Sequence, residues 1–139
     1  MKVNTVFKIF IVICFLLPLI FSCRDAQAKT SKGPHITFEK TEVDLGKIPQ
    51  KGKFDFTFKF KNTGTETLKI SSVKSSCGCT IVEKGTDTLQ PGESSEIKGT
   101  FYSNEYKGRL VRAISVKSND PDKPEVILYI NSVVEEATN

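Results

Sequence analysis

The stretch KFDFTFKF, residues 53–60, decides the fold of this chain. Four phenylalanines alternate with polar residues along it: Phe54, Phe56, Phe58 and Phe60. Successive side chains of a β-strand point to opposite faces, so this period of two predicts a strand with one buried face. The four rings could instead form an aromatic platform for a ligand, but a domain of this size needs large side chains to fill its core. We therefore expect a core strand.

Short apolar or alternating segments continue on both sides of this strand. They cover residues 36–38, 43–48, 68–73, 97–101, 110–116 and 126–134. Turn residues separate them, and Gly64 is expected to take a positive φ in one of these turns. Ile81-Val82 is a short apolar pair before a polar loop over residues 83–88. About seven strands in roughly a hundred residues, without a helical period, predict an all-β, immunoglobulin-like antiparallel β-sandwich.

The N-terminus has the pattern of an export signal. Lys2 and Lys8 flank the start of an almost unbroken apolar run over residues 9–21. This run is about thirteen residues long, whereas a membrane-spanning helix needs roughly 20. A buried N-terminal helix is the alternative, but no polar face interrupts the run. We expect a Sec-type signal peptide and an exported protein.

Two cleavage sites compete after this run. Residues 20–23, Ile-Phe-Ser-Cys, resemble a bacterial lipobox in which Cys23 is lipidated, although Phe21 is larger than usual there. Residues 26–28, Ala-Gln-Ala, form an A-x-A site for ordinary signal peptidase, and Cys23 is then incidental. We favour the lipoprotein because Cys23 lies where the apolar run ends.

The predicted organisation follows from these sites. The signal peptide covers residues 1–22, or 1–28 with the second site, and a polar tether covers residues 23–34. A single immunoglobulin-like domain occupies residues 35–135, and residues 136–139 form a polar tail.

The charge of the exported chain is nearly balanced. The whole chain has 20 Lys and Arg and 16 Asp and Glu, of which three basic residues and one acidic residue precede residue 29, so 17 and 15 remain. Lysines and carboxylates intermingle without a basic run or an arginine cluster, so we expect no nucleic-acid binding. No phosphate-binding glycine loop occurs, and we expect no cofactor and no small-molecule substrate.

These segments together resemble a bacterial family of secreted or lipid-anchored domains that contain Cys-Gly-Cys and are classed as domain of unknown function 1573. The resemblance covers residues 36–134 and rests on the following groups: Phe38 with Asp44-Leu45-Gly46, Phe58 to Asn62 with Gly64, Leu68-Lys69-Ile70, Ser76-Cys77-Gly78-Cys79-Thr80, Leu89-Gln90-Pro91-Gly92-Glu93 and Ser118-Asn119-Asp120-Pro121. It implies an immunoglobulin-like sandwich similar to periplasmic pilus chaperones and ASH (ASPM–SPD-2–Hydin) domains. It implies no activity, because function does not follow from fold.

Cys77 and Cys79 carry the unusual chemistry of the domain, since Cys14 and Cys23 fall in or next to the predicted signal peptide. The first interpretation is structural: a tight turn in which Gly78 is needed because neighbouring backbone comes close. The two thiols are then buried, or joined in a disulfide that closes a very small ring and removes little unfolded-state entropy.

Two chemical roles for this pair remain open. Two thiolates one residue apart can hold Cu(I), which prefers sulfur. Zinc needs four ligands, so a single chain falls short, and a zinc site shared between two chains stays open. The other role is thiol–disulfide exchange, which requires an exposed thiolate of lowered pKa. Lys74 and Lys84 are near in sequence, but the two-residue spacing and helix N-terminus of the familiar redox motif are absent.

Other catalytic chemistry has little support. His35 is the only histidine and stands at the start of the first strand, where we expect a surface position rather than a metal ligand. A Ser-His-Asp arrangement could use only His35, and no Gly-x-Ser-x-Gly occurs. The carboxylates lie in turns or at outward strand positions, where solvation accounts for them: Asp44, Asp55, Asp87 and Asp120. Asp120, which precedes Pro121, is expected to form a turn.

We predict a non-enzymatic binding or assembly module of the bacterial cell envelope. It presents a sheet edge or its end loops to another envelope protein, because sandwiches leave edges open. Lipid on Cys23 is expected to hold it at a membrane, and cleavage after Ala28 would give a soluble periplasmic or secreted protein instead. The alternative is copper binding or thiol–disulfide redox chemistry at Cys77 and Cys79.

Overall fold

The computed structural model describes residues 32–136, so the predicted signal peptide, both cleavage sites, Cys23 and the end of the tail lie outside the described residues. Nine strands occur in this range: β1 (Ile36–Phe38), β2 (Glu42–Pro49), β3 (Lys53–Asn62), β4 (Leu68–Ser75), β5 (Thr80–Lys84), β6 (Thr88–Leu89), β7 (Ser94–Tyr102), β8 (Gly108–Ser118) and β9 (Glu125–Glu135). Within residues 32–136 no helix is long and apolar enough to cross a membrane.

The strands form two packed sheets. One has four strands in the order β1-β3-β7-β5, and the other has five in the order β2-β9-β8-β4-β6. Neighbouring strands pair antiparallel, except that β2 runs parallel to β9. The chain changes sheet between β1 and β2. The predicted immunoglobulin-like sandwich is confirmed.

The phenylalanine strand forms the core as predicted. Phe58 is 1% exposed, and its side chain lies between the sheets with those of Phe56 and Phe60. β3 pairs with β7 along its length, which places Phe58 opposite Ile97. The second sheet contributes fully buried aliphatic side chains to the same core: Ile114, Val116, Leu128 and Ile130. Burial of these apolar side chains is the main driving force that holds the sheets together.

Two short strands, β5 and β6, were not predicted. The sequence suggested only an apolar pair at Ile81-Val82 and a polar loop after it. In the structure β5 pairs with β7 from Thr80 to Lys84 without a bulge, and Leu89 of β6 lies opposite Leu68 of β4. Backbone pairing with an established neighbour makes these segments strands, although their own apolar runs are too short to signal one.

The turn after β3 is built differently from the prediction. Gly64 does not have a positive φ. It is required instead by a close approach, since a Cβ there would lie 2.0 Å from the carbonyl oxygen of Gly33. Asn62, which is fully buried, accepts a hydrogen bond from Gly64 N at 3.0 Å and donates to the Leu89 carbonyl at 3.0 Å. This turn is therefore packed against the segment that leads into β1.

Candidate functional site

The Cys-Gly-Cys motif forms the connection that carries the chain from one sheet to the other, between β4 and β5. Backbone hydrogen bonds hold it on both sides. Ser76 N donates to the Ala113 carbonyl of β8 at 2.9 Å, and Tyr102 N of β7 donates to the Cys79 carbonyl at 2.9 Å. The motif therefore lies at one end of the sandwich and fixes where β5 begins.

Cys77 and Cys79 are joined in a disulfide, with their Cα atoms 5.3 Å apart. Cys79 is 7% exposed and belongs to the core, whereas Cys77 is half-buried against it. Thr80 Oγ1 lies 3.7 Å from Cys77 Sγ and 3.8 Å from Cys79 Sγ. Neither sulfur is a thiolate in this form, so Cu(I) ligation would require reduction first. The metal and redox roles of the pair stay predictions.

Gly78 does not have the role expected of it. A Cβ at this position would meet no atom within 4 Å, and Gly78 has no positive φ. The prediction that neighbouring backbone comes close at Gly78 is therefore wrong. The residue is exposed at the tip of the connection, and the disulfide spans the two residues on either side of it.

β5 leaves one backbone edge without a partner among residues 32–136. Tyr102 N donates to the Cys79 carbonyl and Gly85 N donates to the Glu96 carbonyl, which fixes the phase of the β5–β7 ladder. Backbone groups of an antiparallel strand point alternately toward and away from its neighbour. The N–H and C=O groups of Val82 and Lys84 therefore point away from β7.

The other sheet edges are less suited to pairing. β1 has three residues and β6 has two. β2 is longer, but its register shifts between Asp44 and Lys47. A bulge of this kind interrupts the regular pattern of donors and acceptors on a strand. Among the four strands that end the two sheets, β5 has the longest stretch paired without a register shift.

A shallow groove lies beside this edge on the outer face of the four-stranded sheet. Its volume is about 250 Å³. Its lining combines Ile81 with polar side chains, including Asp55, Glu83, Lys98 and Thr100. Ile81 is 54% exposed, whereas Thr100 Oγ1 donates to Asp55 Oδ1 at 2.7 Å. The groove therefore places one exposed aliphatic side chain among polar groups.

His35 and Asp120 do not lie where the sequence placed them. The His35 side chain is only 13% exposed, and its Nδ1 lies 3.3 Å from Asp120 Oδ1 and 3.7 Å from Asp122 Oδ2. Asp120 is 2% exposed. The expectation of a surface histidine and of a solvated Asp120 is therefore wrong. The expectation that Asp120 forms a turn is confirmed, because its Oδ1 accepts hydrogen bonds from Asp122 N and Lys123 N.

The oxygens of Asp120 already have protein partners. Oδ2 accepts from Ile36 N at 2.8 Å, in addition to the two bonds to Oδ1. Burial raises the pKa of Asp120, but these backbone donors together outweigh burial and hold the pKa below its usual range. His35, Asp120 and Asp122 lie close enough to hold a metal ion together, but the bonding of Asp120 is that of a structural clamp.

The remaining sequence candidates do not come together. Asp44 accepts from Gly46 N at 2.8 Å in a local turn, and Asp87 pairs with Lys84 at 3.1 Å on the surface. No hydroxyl group within residues 32–136 hydrogen-bonds to His35, so no Ser-His-Asp arrangement forms in this range. The sequence assigned no role to Asn62 and did not predict the β5 edge, because both depend on contacts between distant segments.

A family model described as "Protein of unknown function (DUF1573)" matches residues 36–134. The chain belongs to this family. The match begins at β1 and ends within β9, so the DUF1573 domain and the β-sandwich coincide. Comparison with curated proteins finds no match.

Several solved structures share the fold of this DUF1573 domain. A Porphyromonas gingivalis W83 protein of unknown function has a TM-score of 0.63 and 14% identity over 79% of this chain and 51% of its own. The ASH / PapD-like domain 7 of human CEP192 has a TM-score of 0.60 and 10% identity over 74% of this chain and 87% of its own. At these identities the likeness shows the fold alone.

A third similar structure is that of Vibrio cholerae VesB protease. The TM-score is 0.61 and the identity 16%, over 70% of this chain and 31% of the protease chain. The DUF1573 chain thus spans about half of the P. gingivalis protein and under a third of the protease. The likeness to a pilus-chaperone-like and ASH-like sandwich, expected from the sequence, is confirmed.

Proposed function

We propose that this DUF1573 protein is a non-enzymatic binding module of the bacterial cell envelope. Its β5 edge pairs with an extended segment of another envelope protein. The observation that carries the proposal is the unpaired, bulge-free edge of β5 beside an exposed aliphatic side chain. Addition of a strand to an open sheet edge is a common mode of peptide recognition, in which main-chain hydrogen bonds supply affinity and side chains supply specificity.

The edge can make several main-chain hydrogen bonds to an added strand. Val82 and Lys84 each offer an N–H and a C=O, and each hydrogen bond contributes about 1 kcal/mol net. These four bonds alone give little binding, because association costs about 4 kcal/mol or more in lost translational and rotational freedom. Contacts with the side chain of Ile81 must therefore add both affinity and register. We expect the partner to carry an apolar residue next to Ile81.

Location in the envelope is part of the proposal. The basic start, the short apolar run and Cys23 at its end support export and a lipid anchor. A lipid-anchored domain is restricted to the membrane surface, where a weak edge contact benefits from a high effective concentration of partner. If cleavage follows Ala28 instead, the module is soluble in the periplasm or secreted.

Val82→Pro tests the role of the edge. Val82 N–H points away from β7, so proline there blocks an added strand without removing a bond of the native ladder. Val82→Thr is the matched control, since it keeps the N–H and the β-branched shape. We expect Val82→Pro to abolish co-purification of an envelope protein that wild type and Val82→Thr both retain. Equal recovery with Val82→Pro would contradict the proposal.

A second candidate function is thiol–disulfide exchange at the Cys77–Cys79 disulfide, with Cu(I) binding after reduction. The observation that favours it is the half-buried position of Cys77, in contrast to Cys79, which belongs to the core. The thiolate of a dithiol reductant would attack Cys77 Sγ, and Cys79 would leave as a thiolate and take up a proton. The second thiol of the reductant then releases Cys77, which leaves two thiols here and a disulfide on the reductant.

A further inference from the structure

Arg112 is a cation on the inner face of a strand. It lies in β8 opposite Ile130, and its side chain is on the same face of the strand as those of Ile114 and Val116. Ile114, Val116 and Ile130 are at most 1% exposed. Long charged side chains are rarely placed on such a face unless they are paired. The other arginine within residues 32–136, Arg109, is exposed.

The guanidinium group of Arg112 has no anionic partner among the described residues. Its Nε is buried without a hydrogen-bond partner in the described part of the chain. The salt bridges within residues 32–136 involve lysines and His35, and none includes Arg112. A partly buried charge without a counter-charge is costly, which makes the site favourable for an anion.

The ring of Tyr106 lies against this guanidinium group. Arg112 Cζ lies 4.7 Å from the centroid of the Tyr106 ring. Tyr106 is itself fixed from two directions, because its N donates to the Ser103 carbonyl at 3.0 Å and its carbonyl accepts from Gln50 Nε2 at 3.1 Å. This cation–π contact uses none of the N–H donors of the guanidinium group, which remain for a ligand.

The site lies at the Cys-Gly-Cys end of the sandwich. Hydrogen bonds between Ser76 and Ala113 extend the β4–β8 ladder by one step beyond Ser75 and Ile114. Arg112 follows Ala113 toward the same end of β8. Arg112 and the Cys-Gly-Cys connection therefore lie at the same end of the sandwich.

We propose that Arg112 and Tyr106 form a carboxylate-binding site for a peptide or protein ligand. The Nη groups of Arg112 donate to the two carboxylate oxygens, and the Tyr106 ring fixes the orientation of the fork. A single planar fork matches a planar monoanion, whereas a phosphate site commonly gathers several cations or backbone donors. The site uses residues other than those of the β5 edge, so it stands or falls independently of the proposed edge contact.

NMR of ¹⁵N-labelled protein tests the site through the Nε–Hε signal of Arg112. Three probes are titrated: acetyl-Ala-Ala with a free carboxylate, acetyl-Ala-Asp amide, and acetyl-Ala-Ala amide, which has no carboxylate. We expect a saturable shift with the first two and binding at least about tenfold weaker with the third, since the charged hydrogen bonds are lost. Whichever of the first two probes binds more tightly shows whether the site prefers the carboxylate of a chain terminus or that of a side chain.

Matched variants separate the site from general charge effects. Arg112→Lys keeps the charge but loses the fork, and we expect its affinity for the preferred carboxylate probe to fall about tenfold. Arg109→Gln removes an exposed arginine of the same strand and should leave the titration unchanged. Equal shifts with all three probes, no saturable shift, or saturation by inorganic phosphate below the carboxylate concentration would each overturn the proposal. The titration of the wild-type protein tests the proposal even if a variant fails to fold.

Discussion

Ile36 and Asp120 are 84 positions apart in the chain, yet Ile36 N donates to Asp120 Oδ2 at 2.8 Å in a buried hydrogen bond. The other oxygen of Asp120 caps its own turn by accepting from the backbone N–H groups of residues 122 and 123. One carboxylate thus ties the first strand to the loop between β8 and β9. This carboxylate clamp therefore fixes β1, at the start of the domain, to the loop that precedes the last strand.

Replacement of Asp120 should destabilise the fold. Asp120→Asn keeps the shape but removes the charge that strengthens three backbone hydrogen bonds, and we expect a loss of about 1–3 kcal/mol in the free energy of unfolding. Asp122→Asn is the matched control, because the Asp122 side chain is 67% exposed. We expect that variant to change stability by less than about 0.5 kcal/mol. Urea unfolding of both variants measures the difference, and equal effects would contradict the clamp.

The same clamp predicts a dependence of stability on acid. The pKa of Asp120 is lowered in the folded state, so the unfolded chain binds this proton more readily. The stabilisation is therefore complete above the unfolded pKa, near 3.9, and is lost as the pH falls through the folded pKa. Urea midpoints measured between neutral pH and acid should fall more steeply for wild type than for Asp120→Asn. Parallel curves would show that Asp120 does not cause the loss.

Replacement by alanine should destabilise the fold at Gly64 but not at Gly78. A Cβ at Gly64 would lie 2.0 Å from a backbone oxygen, so Gly64→Ala must displace backbone and should cost about 2 kcal/mol or more. A Cβ at Gly78 meets open space, so Gly78→Ala should remain within about 1 kcal/mol of wild type. Thermal and urea unfolding compare the two. A large loss of stability in Gly78→Ala would show that Gly78 is required for packing, as the sequence predicted.

The cysteine pair should contribute little to stability. The disulfide closes a three-residue ring, for which the chain-entropy relation gives less than about 2 kcal/mol. We therefore expect Cys77→Ser with Cys79→Ser to remain folded and to retain its envelope partner. If the pair instead serves copper binding or thiol exchange, the double variant keeps its partner but loses bound metal or reaction with a dithiol.

Native mass spectrometry of protein isolated from the envelope measures the covalent state of Cys23, Cys77 and Cys79. We expect acyl mass on Cys23 and a mass two hydrogens below that of the dithiol at Cys77 and Cys79. A chain that begins at Lys29 without lipid would contradict the anchor. Bound copper, or a disulfide that opens under mild reductant, would favour the second candidate function over the edge contact.

The sequence predicted the sandwich because its signals are local. The alternation along Phe54 to Phe60 indicates a strand by itself, and turn residues mark its ends. Asp120 gave no comparable signal, since its partner Ile36 lies on the first strand and only the folded chain brings them together. Arg112 likewise gave no signal, because its inward direction depends on the register of β8 against β9. The β5 edge was missed because pairing with β7, rather than its own composition, makes it a strand.

Photo-crosslinking at position 81 in living cells shows whether a partner lies beside the β5 edge. A crosslinking amino acid replaces Ile81 beside the β5 edge, or Ile127, which is similarly exposed on the outer face of the other sheet. We expect a discrete adduct with an envelope protein from position 81 and none from position 127. Addition of Val82→Pro to a chain that still folds should abolish the adduct from position 81. An adduct at 81 that persists with Val82→Pro, or adducts only at 127, would contradict the proposal that β5 binds the partner.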